Sequence, residues 1–271
     1  MDNPLVSIII ACKNNSEYIE KCLESVKNQT YKNWELIIVD NYSSDKTFEI
    51  ANRYTDKVFQ IGPERSTQFN FGFGKSKGAL IYRIGAEFVL EADVVEKCVK
   101  KIDEGYDALV VHNRSLGDTI WAKVRFFERD SYQNDNIVVS VRFMKRGVFE
   151  NVGMFDESLV AGEDFDLHNR IVKAGYKWSH ADAVEYHLGE PKSIKDVWKK
   201  FYYYGRTINR YRKKNKSISK SQFVFFRPCF KKIQKELINY PKIFIYFYIY
   251  LLIKHIAGVF GMITGPPKKL R

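Results

Sequence analysis

Runs of β-branched residues that alternate with helical patterns constrain the fold of this chain more than any other sequence feature. The first run, PLVSIIIACKN at residues 4–14, is typical of a strand buried on both faces. It is followed by SEYIEKCLESVKNQT, where apolar residues recur at helical spacing after a predicted N-cap at Ser16. A strand buried on both faces needs helices on each side, so this opening predicts a layered α/β domain.

The same alternation continues along the chain. We predict strands at WELIIVD, KVFQIG and ALIYRIGAEFVL, and helices at SDKTFEIANRY and at STQFNFGFGKSKG, the latter ending at Gly78. Later strands are predicted at DALVVHNRS and HADAVEYH, and later helices at TIWAKVRFFERDSYQN and in EDFDLHNRIVKAG. Alternating strands and helices predict right-handed βαβ units and a mostly parallel sheet with helices on both faces.

The basic residues are concentrated at one end of the chain. Residues 195–271 hold 19 of the 44 Lys and Arg residues but only two acids, whereas residues 1–194 hold 25 basic and 30 acidic residues. This asymmetry predicts a mildly acidic globular domain at 1–194 and a basic, aromatic-rich helical extension at 195–271. A basic extension indicates a polyanionic partner, either a membrane surface or nucleic acid.

The cysteines and the N-terminus limit the class of protein. The four cysteines (Cys12, Cys22, Cys98 and Cys229) form no Cys-x-x-Cys pair, which argues against a zinc site or a disulfide scaffold and for a reducing compartment. The N-terminus has no basic region before its apolar run, so we interpret that run as a strand and not as a signal peptide. A hydrophobic content of 45% is enough for a core and excludes wholesale disorder.

Polar clusters follow three predicted strands at their carboxyl ends: Lys13-Asn14-Asn15, Asp40 to Asp45, and Gly85-Ala86-Glu87. Each cluster alone is also compatible with turn or helix-capping chemistry. In parallel sheets, however, ligands bind beyond the carboxyl ends of the strands. The joint placement of the three clusters therefore favours a shared ligand site.

Four stretches occur in the order and spacing of a known family: VSIIIACKNNSEYIEKCLESVKNQTYKNWELIIVDNYSSDKT, ERSTQFNFGFGKSKGALIYRIGAEFVLE, VGMFDESLVAGEDFDLHNRIVKAGYKW and AVEYHLGEP. Together they resemble the family 2 glycosyltransferases of the GT-A fold, over residues 4–192. The resemblance implies a Rossmann-like, mostly parallel sheet flanked by helices. It also implies a nucleotide-sugar donor and transfer with inversion, without a covalent enzyme intermediate.

The resemblance also implies roles for individual residues. Donor contacts fall on Ala11, Lys13, Asp40, Arg65, Asn70, Gly85 and Ala86. Among these, Asp40 resembles the residue that recognises the nucleobase or ribose. Gly85 stands where the family has the first acid of an Asp-x-Asp motif, so the donor-sugar and ribose contacts of that acid are missing.

The resemblance places a metal site and a catalytic base at four further positions. Glu87 aligns with the metal-binding acid of Asp-x-Asp, and His187 with a further metal ligand; the cation would be Mn²⁺ or Mg²⁺, with the histidine favouring Mn²⁺. Asp164 aligns with the general base that deprotonates the acceptor, and Glu163 with a residue that orients a sugar. The alternatives are a structural histidine and an acidic helix N-terminus.

The apolar segment at residues 243–265, IFIYFYIYLLIKHIAGVFGMITG, is long enough to span a bilayer. Because Lys254 and His255 near its middle are costly in hydrocarbon, we expect a helix that lies in the interface or inserts partly. The alternative is a helix that packs on the catalytic domain or on a second copy, forming a homo-oligomer. Interleaved basic and aromatic residues also suit single-stranded nucleic acid, but no RNA-binding signature accompanies them, so no nucleic-acid partner is expected.

These observations predict a glycosyltransferase at the cytoplasmic face of the cell membrane. It would transfer a sugar from a UDP- or GDP-sugar to the hydroxyl of a lipid-linked or glycan acceptor. One alternative is a polyprenyl-phosphate glycosyl synthase, whose acceptor is a lipid phosphate. The other, suggested by Gly85, is a noncatalytic protein that binds nucleotide-sugars or acts as a scaffold.

Overall fold

The computed structural model describes residues 3–266. Its strands are β1 (Val6–Cys12), β2 (Trp34–Asp40), β3 (Val58–Gln60), β4 (Leu80–Gly85), β5 (Phe88–Leu90), β6 (Ala108–Ser115), β7 (Phe143–Lys145) and β8 (Trp178–His187). Its helices are α1 (Ile19–Lys27), α2 (Thr47–Ala51), α3 (Arg65–Lys75), α4 (Val94–Asp103), α5 (Ile120–Asp130), α6 (Arg146–Asn151), α7 (Glu163–Lys173), α8 (Ile194–Lys214), α9 (Lys216–Gln222), α10 (Lys231–Leu237) and α11 (Pro241–Thr264).

The chain forms two compact units that interleave along the sequence. The first unit contains the chain up to Asn113 together with Ser140–Glu157 and Asp164–Gly189. The second contains Arg114–Val139, Ser158–Glu163 and the chain from Glu190 onward. The division into domains at 194/195 stays a prediction.

The first unit is built on one eight-stranded sheet in the order β3-β2-β1-β4-β7-β6-β8-β5. The pairs β1–β2, β1–β4 and β2–β3 are parallel, as the sequence predicts. The pairs β4–β7, β6–β7 and β5–β8 are antiparallel. The sheet is therefore mixed, with its parallel part in the N-terminal half of the unit.

Helices cover both faces of the parallel strands, as the burial of β1 requires. On one face, apolar residues of α1 and α4 join a core with Ile8 and Ile10. On the other face α3 lies so close to the sheet that a Cβ added at Gly72 would come within 2.6 Å of Ile9 Cγ2. Every residue of β1 is buried, which confirms the interpretation of its sequence as a strand covered on both faces.

Three local predictions are wrong in detail. The helix α1 begins after Tyr18 and has no side-chain cap, so Ser16 is not its N-cap. The helix α3 ends at Lys75 and not at Gly78, whose amide instead donates to Ser7 Oγ at 2.8 Å. The predicted fourth strand at residues 79–90 is two strands, because β5 pairs with β8 and not with the neighbours of β4.

The second unit is helical and has its own aromatic core. This core joins α5, α8, α10 and α11 through buried residues that include Phe127, Phe230 and Phe247. The backbones of helices α8 and α11 are in contact: a Cβ added at Gly205 would lie 2.1 Å from the Gly258 carbonyl oxygen. Glycine allows such an approach because it has no side chain. The basic residues Lys268, Lys269 and Arg271 of the predicted extension lie outside the described residues.

A buried carboxylate holds the polar residues of α11 inside the second unit. The Glu128 side chain is fully buried; it pairs with Lys254 and Arg125 and accepts a hydrogen bond from the Tyr250 hydroxyl at 2.8 Å. The neighbouring His255 has its Nδ1 2.7 Å from the Leu251 carbonyl oxygen. Lys254 and His255 therefore both contact protein groups, and the expectation of a helix that lies in the interface or inserts partly stays a prediction.

Candidate functional site

The carboxyl ends of β1, β2 and β4 lie side by side, which brings together the polar clusters that the sequence singled out. Ala11 is opposite both Val39 and Gly85, and Cys12 is opposite Asp40. Beyond these ends, the loop after β1 is fastened to the loop after β2. The Asn14 amide donates to Ser43 Oγ at 2.8 Å, and this hydrogen bond joins the two loops.

Asp40 is fully buried at the end of β2. Its carboxylate accepts hydrogen bonds from the Ser43 amide at 2.9 Å, from the Ser43 hydroxyl and from Gln60 Nε2 at 3.1 Å. These bonds fix the turn after β2 and satisfy a charge that would be costly to bury alone. Recognition of a nucleobase or ribose by Asp40 stays a prediction.

Glu87 and His187 meet although they are 100 residues apart in the chain. Strand β5 pairs antiparallel with β8, with Phe88 opposite His187, and the Leu188 amide donates to the Glu87 carbonyl oxygen at 2.9 Å. This pairing places His187 Nε2 3.7 Å from Glu87 Oε1. The two residues that the resemblance assigns to a metal are therefore neighbours, one mostly buried and the other 23% exposed.

Gly85 leaves the space that the Glu87 carboxylate occupies. A Cβ on Gly85 would lie 2.7 and 2.8 Å from the two carboxylate oxygens of Glu87, closer than real Cβ contacts. The side chain of Glu87 is one methylene longer than that of aspartate and folds back over the glycine. The two departures from Asp-x-Asp, glycine first and glutamate last, are thus sterically linked. Ala86 between them is fully buried.

The side chains of Glu87 and His187 fit a divalent cation whose other ligands come from a bound substrate. Glu87 supplies hard oxygen ligands and His187 an imidazole nitrogen, which together suit Mn²⁺ or Mg²⁺. Among residues 3–266, no group of three or more His, Cys, Asp or Glu side chains is arranged to hold a metal ion. Magnesium-type sites often take one or two protein ligands and complete their shell with substrate phosphates and water.

A buried network below the pair was not predicted from the sequence. The His187 ring packs edge-on against Phe88, with ring centroids 4.8 Å apart, and the Arg142 guanidinium lies 4.4 Å from the Phe88 ring centroid. Arg142 pairs with buried Glu185 at 2.9 Å, and Glu185 accepts a hydrogen bond from the Tyr82 hydroxyl at 2.9 Å. An acid within the apolar alternation of β8 is the signal that could have revealed this network.

Asp164 lies at the start of α7 and is connected to β4 through two side chains. Ser140 Oγ donates to the Asp164 carbonyl oxygen at 3.3 Å, and Arg83 Nη2 donates to Ser140 Oγ. Arg83 precedes Gly85 by two residues on β4, so this bridge ties the predicted base to the strand that ends in the Gly85-Ala86-Glu87 cluster. Glu163 directly precedes Asp164 and is buried.

His168 follows Asp164 by one helical turn and is buried against Trp178, with ring centroids 4.7 Å apart. Burial lowers the pKa of His168 to about 4, against the opposing influence of the Asp164 carboxylate. The imidazole is therefore neutral at pH 7. Its Nδ1 atom has no hydrogen-bond partner within residues 3–266. Sequence analysis did not select this histidine.

Other predicted residues lie in less direct positions. Lys13 and Arg65 are exposed, the latter at the first position of α3. Asn70 holds the loop at residues 155–157: its Nδ2 donates to the Phe155 carbonyl oxygen and to Glu157 Oε1, and its Oδ1 accepts from the Phe155 amide. Contacts of Lys13, Arg65 and Asn70 with a nucleotide stay predictions.

Comparison with known proteins gives a consistent family. The family model described as Glycosyl transferase family 2 matches residues 7–150. The glycosyltransferase AglE of Haloferax volcanii is 30% identical over 207 residues, which are 69% of this chain and 68% of that protein. The dolichyl N-acetyl-alpha-D-glucosaminyl phosphate 3-beta-D-2,3-diacetamido-2,3-dideoxy-beta-D-glucuronosyltransferase of Methanococcus voltae is 27% identical over 64% of this chain and 63% of that protein. The chain thus spans about two thirds of the length of these relatives.

Solved structures share the fold at low sequence identity. The mannosyltransferase PcManGT from Pyrobaculum calidifontis, in complex with GDP-Man and Mn²⁺, matches with a TM-score of 0.65 and 15% identity over 95% of this chain and 87% of that one. Residues 1–349 of S. aureus TarS, in complex with UDP-GlcNAc, match with a TM-score of 0.53 and 18% identity over 75% of this chain and 66% of that one. With the mixed sheet and flanking helices, these likenesses confirm the expected α/β GT-A fold.

Proposed function

The chain belongs to glycosyl transferase family 2, and we propose that it transfers a sugar from a nucleotide-sugar to an acceptor hydroxyl with inversion. The observation that carries the proposal is the Glu87–His187 pair, formed by strand pairing near the edge where β1, β2 and β4 end. Open α/β sheets bind ligands at that edge. A UDP- or GDP-sugar is the proposed donor, supported by the UDP-GlcNAc and GDP-Man complexes of proteins with the same fold.

Glu87 and His187 are the proposed ligands of a divalent cation, Mn²⁺ or Mg²⁺. When bound, such a cation neutralises charge that develops on the leaving diphosphate. Glu87 lies in the turn between β4 and β5, where its carboxylate occupies the space above Gly85, and His187 contacts Phe88. Because these side chains are packed before a donor binds, their arrangement needs little reorganisation during the reaction.

Asp164 is the proposed general base. Its carboxylate would accept the proton of the acceptor hydroxyl as the oxygen attacks the anomeric carbon from the side opposite the leaving group. Such a base contributes on the order of 10²–10⁴ in rate. Glu163, its neighbour at the start of α7, is proposed to orient the acceptor or the donor sugar.

Substitution of Asp164 also tests which class of acceptor the chain uses. The name of the Methanococcus relative describes a dolichyl-phosphate-linked sugar as substrate, which supports a lipid-linked acceptor here. For a hydroxyl acceptor, Asp164→Asn should abolish nearly all transfer with Mn²⁺ while nucleotide binding persists. A mild loss would instead favour a polyprenyl-phosphate glycosyl synthase, because a phosphate acceptor needs little help from a base.

A noncatalytic nucleotide-sugar-binding or scaffold protein is the competing function of another class. Donor hydrolysis or transfer is measured with Mn²⁺ for the wild type and for Glu87→Ala. Turnover that needs both the cation and Glu87 supports the enzyme. Nucleotide binding without any turnover, over a panel of UDP- and GDP-sugars, would favour the binding protein.

We place the activity at a membrane surface because one face of α11 is apolar and exposed. The exposed side chains are Ile245, Ile249, Leu252, Ile256, Val259, Phe260 and Ile263. Within residues 3–266, α11 is the one helix long and apolar enough to cross a bilayer. Core helices of soluble proteins can have the same length and composition. Its backbone contact with α8 and the burial of Lys254 favour a helix that lies in the interface over one that spans.

Charge favours a lipid surface over a second copy of the chain. Six of the seven exposed side chains follow a spacing of four and three residues. A water-soluble coiled coil would have charged pairs beside them, but these positions carry Tyr246, Tyr248, Ile253, His255, Phe260 and Met262. Residues 195–236 hold 14 Lys and Arg residues, which suit anionic headgroups. The cytoplasmic leaflet is the proposed location, since anionic lipids concentrate there.

Flotation with lipid vesicles tests this part of the proposal. The wild type should bind phosphatidylcholine vesicles that contain phosphatidylglycerol. It should bind vesicles of phosphatidylcholine alone more weakly. Ile249→Asp and Ile256→Asp should both weaken binding, whereas Val172→Asp, a matched change at an exposed valine of the first unit, should not. Equal binding by all three variants would exclude α11 as the contact. A stable dimer of the wild type in solution, lost in the two α11 variants, would assign the face to self-association.

A further inference from the structure

Tyr42 displays its ring to solvent at the edge of the sheet where a donor would bind. Its side chain is 63% exposed, and among the described residues of the first unit it is the only exposed aromatic residue. The backbone at Tyr42 has a φ of 48°, in the left-handed region. Residues other than glycine seldom adopt that region, and when they do they often cluster at functional sites.

The residues on both sides of Tyr42 hold it in this conformation. Before it, the Asn41 amide donates to the Cys12 carbonyl oxygen at 2.9 Å, and Asn41 Nδ2 donates to the Pro63 carbonyl oxygen. After it, Ser43 donates twice to Asp40. The exposure of the ring therefore follows from a turn anchored at each end, and the turn directs the ring out of the protein.

Tyr42 stands beside the loop at residues 13–15. The Asn14 side chain accepts a hydrogen bond from the Ser44 amide at 2.9 Å, and the Asn14 amide donates to Ser43. The two loops that follow β1 and β2 are thereby joined, with Tyr42 on their exposed side. In open α/β sheets this is the edge that binds nucleotides.

We propose that Tyr42 is a stacking platform for the nucleobase of the donor, an inference that rests on the proposed function. The Asp40 carboxylate already accepts hydrogen bonds from Ser43 and Gln60, so a base near it needs a further contact. An exposed aromatic face supplies one through stacking, which tolerates any base because every base has a π-face. The ligand class is therefore a nucleoside diphosphate, and stacking by itself does not choose between uracil and guanine.

The test compares nucleotides with a ligand that has no base. Calorimetric titrations with Mn²⁺ use UDP, GDP and inorganic pyrophosphate on the full chain. Tyr42→Ala should weaken whichever nucleoside diphosphate the wild type binds by about tenfold to 100-fold, and leave pyrophosphate affinity unchanged. Tyr42→Phe should keep nucleotide affinity within about threefold, because it keeps the aromatic face.

A glycine variant separates stacking from a structural role. Tyr42→Gly suits the left-handed backbone, so its melting temperature should equal or exceed that of Tyr42→Ala while its nucleotide affinity falls equally. Val172→Ala, at the other exposed large hydrophobic residue of the first unit, is the control and should change neither.

These measurements distinguish failure of the stacking role of Tyr42 from failure of the proposed function. Unchanged nucleotide affinity in Tyr42→Ala would overturn the stacking role and leave the proposed glycosyl transfer intact. An equal loss for pyrophosphate would also overturn it, because the defect would then lie in the loop. If the wild type binds neither nucleotide and transfers no sugar from UDP- or GDP-sugars, the proposed function and the role of Tyr42 fail together.

Discussion

Replacing Gly85 with alanine puts a methyl group where the Glu87 carboxylate now lies. The added Cβ would be 2.7 Å from one carboxylate oxygen, whereas ordinary contact begins at 3.4 Å. The carboxylate must therefore withdraw by about 0.7 Å, the difference between those distances. It can do so at little cost in stability, because it is the end of a flexible side chain.

The expected effects on stability and on activity have opposite signs. The φ of Gly85 lies outside the left-handed region, so alanine fits its backbone and should stabilise the fold by about 0.4–1 kcal/mol through the unfolded chain. A misplacement of a catalytic group approaching 1 Å can reduce the rate on the order of 10²-fold. We therefore expect Gly85→Ala to lower kcat/KM with Mn²⁺ by about 10- to 100-fold while the melting temperature stays level or rises.

A double substitution tests the steric link itself. Gly85→Asp adds a second carboxylate whose contact should displace that of Glu87 and impair Mn²⁺ binding, although its negative charge by itself attracts the cation. Adding Glu87→Asp shortens the crowded side chain by one methylene and should restore part of the binding, a coupling visible in a double-mutant cycle.

Mn²⁺-dependent transfer and Mn²⁺ affinity are measured for the wild type, both single variants and the double variant. Additive effects of Gly85→Asp and Glu87→Asp would refute the link between the two positions. An unchanged kcat/KM in Gly85→Ala would refute the reasoning that the present position of the carboxylate matters.

Three further outcomes follow from buried contacts. Burial lowers the pKa of His168 to about 4, so the unfolded chain takes up a proton at this residue before the folded chain does, as the pH falls below about 6.5. The free energy of unfolding of the wild type should therefore fall by about 2–3 kcal/mol through this residue between pH 7.5 and 4.5. Urea unfolding should show a smaller fall for His168→Phe. Gly205→Ala should lower the melting temperature, since its Cβ would lie 2.1 Å from the Gly258 carbonyl oxygen and overpacking costs about 1–3 kcal/mol; Gly74→Ala, with open space around it, is the matched control and should not. Asn70→Ala should cost about 1–3 kcal/mol in stability by leaving the Phe155 backbone groups unpaired, with a smaller change in nucleotide affinity.

Each of these has a contrary result. An equal pH dependence in wild type and His168→Phe would mean that this imidazole is not the group that protonates on unfolding. A Gly205→Ala protein as stable as the wild type would show that α8 and α11 separate at no cost. A loss of nucleotide affinity in Asn70→Ala without a loss of stability would favour the direct donor contact that the family resemblance implies.

The parallel half of the fold could be predicted from local pattern. β1 and β2 are β-branched runs flanked by helical periodicity, and a run with no polar alternation must be covered on both faces. The convergence of Asp40 and Gly85 at one edge followed from parallel topology alone, and the register confirms it. Local pattern did not reveal that residues 79–90 break into two strands, because what separates β5 from β4 is its pairing with β8, far away in the chain.

The candidate site shows the same division. Sequence and resemblance selected Glu87 and His187 separately, and the tertiary structure brought them to 3.7 Å. Only the structure revealed that Gly85 makes room for Glu87, that Asn70 holds the 155–157 loop, and that Lys254 is paired inside the second unit. Residue type and spacing determine which chemistry is available and which faces are buried, since both follow from the periodicity of one segment. Which side chains occupy the same few ångströms depends on strand register and helix packing, since each of those is set jointly by two distant segments.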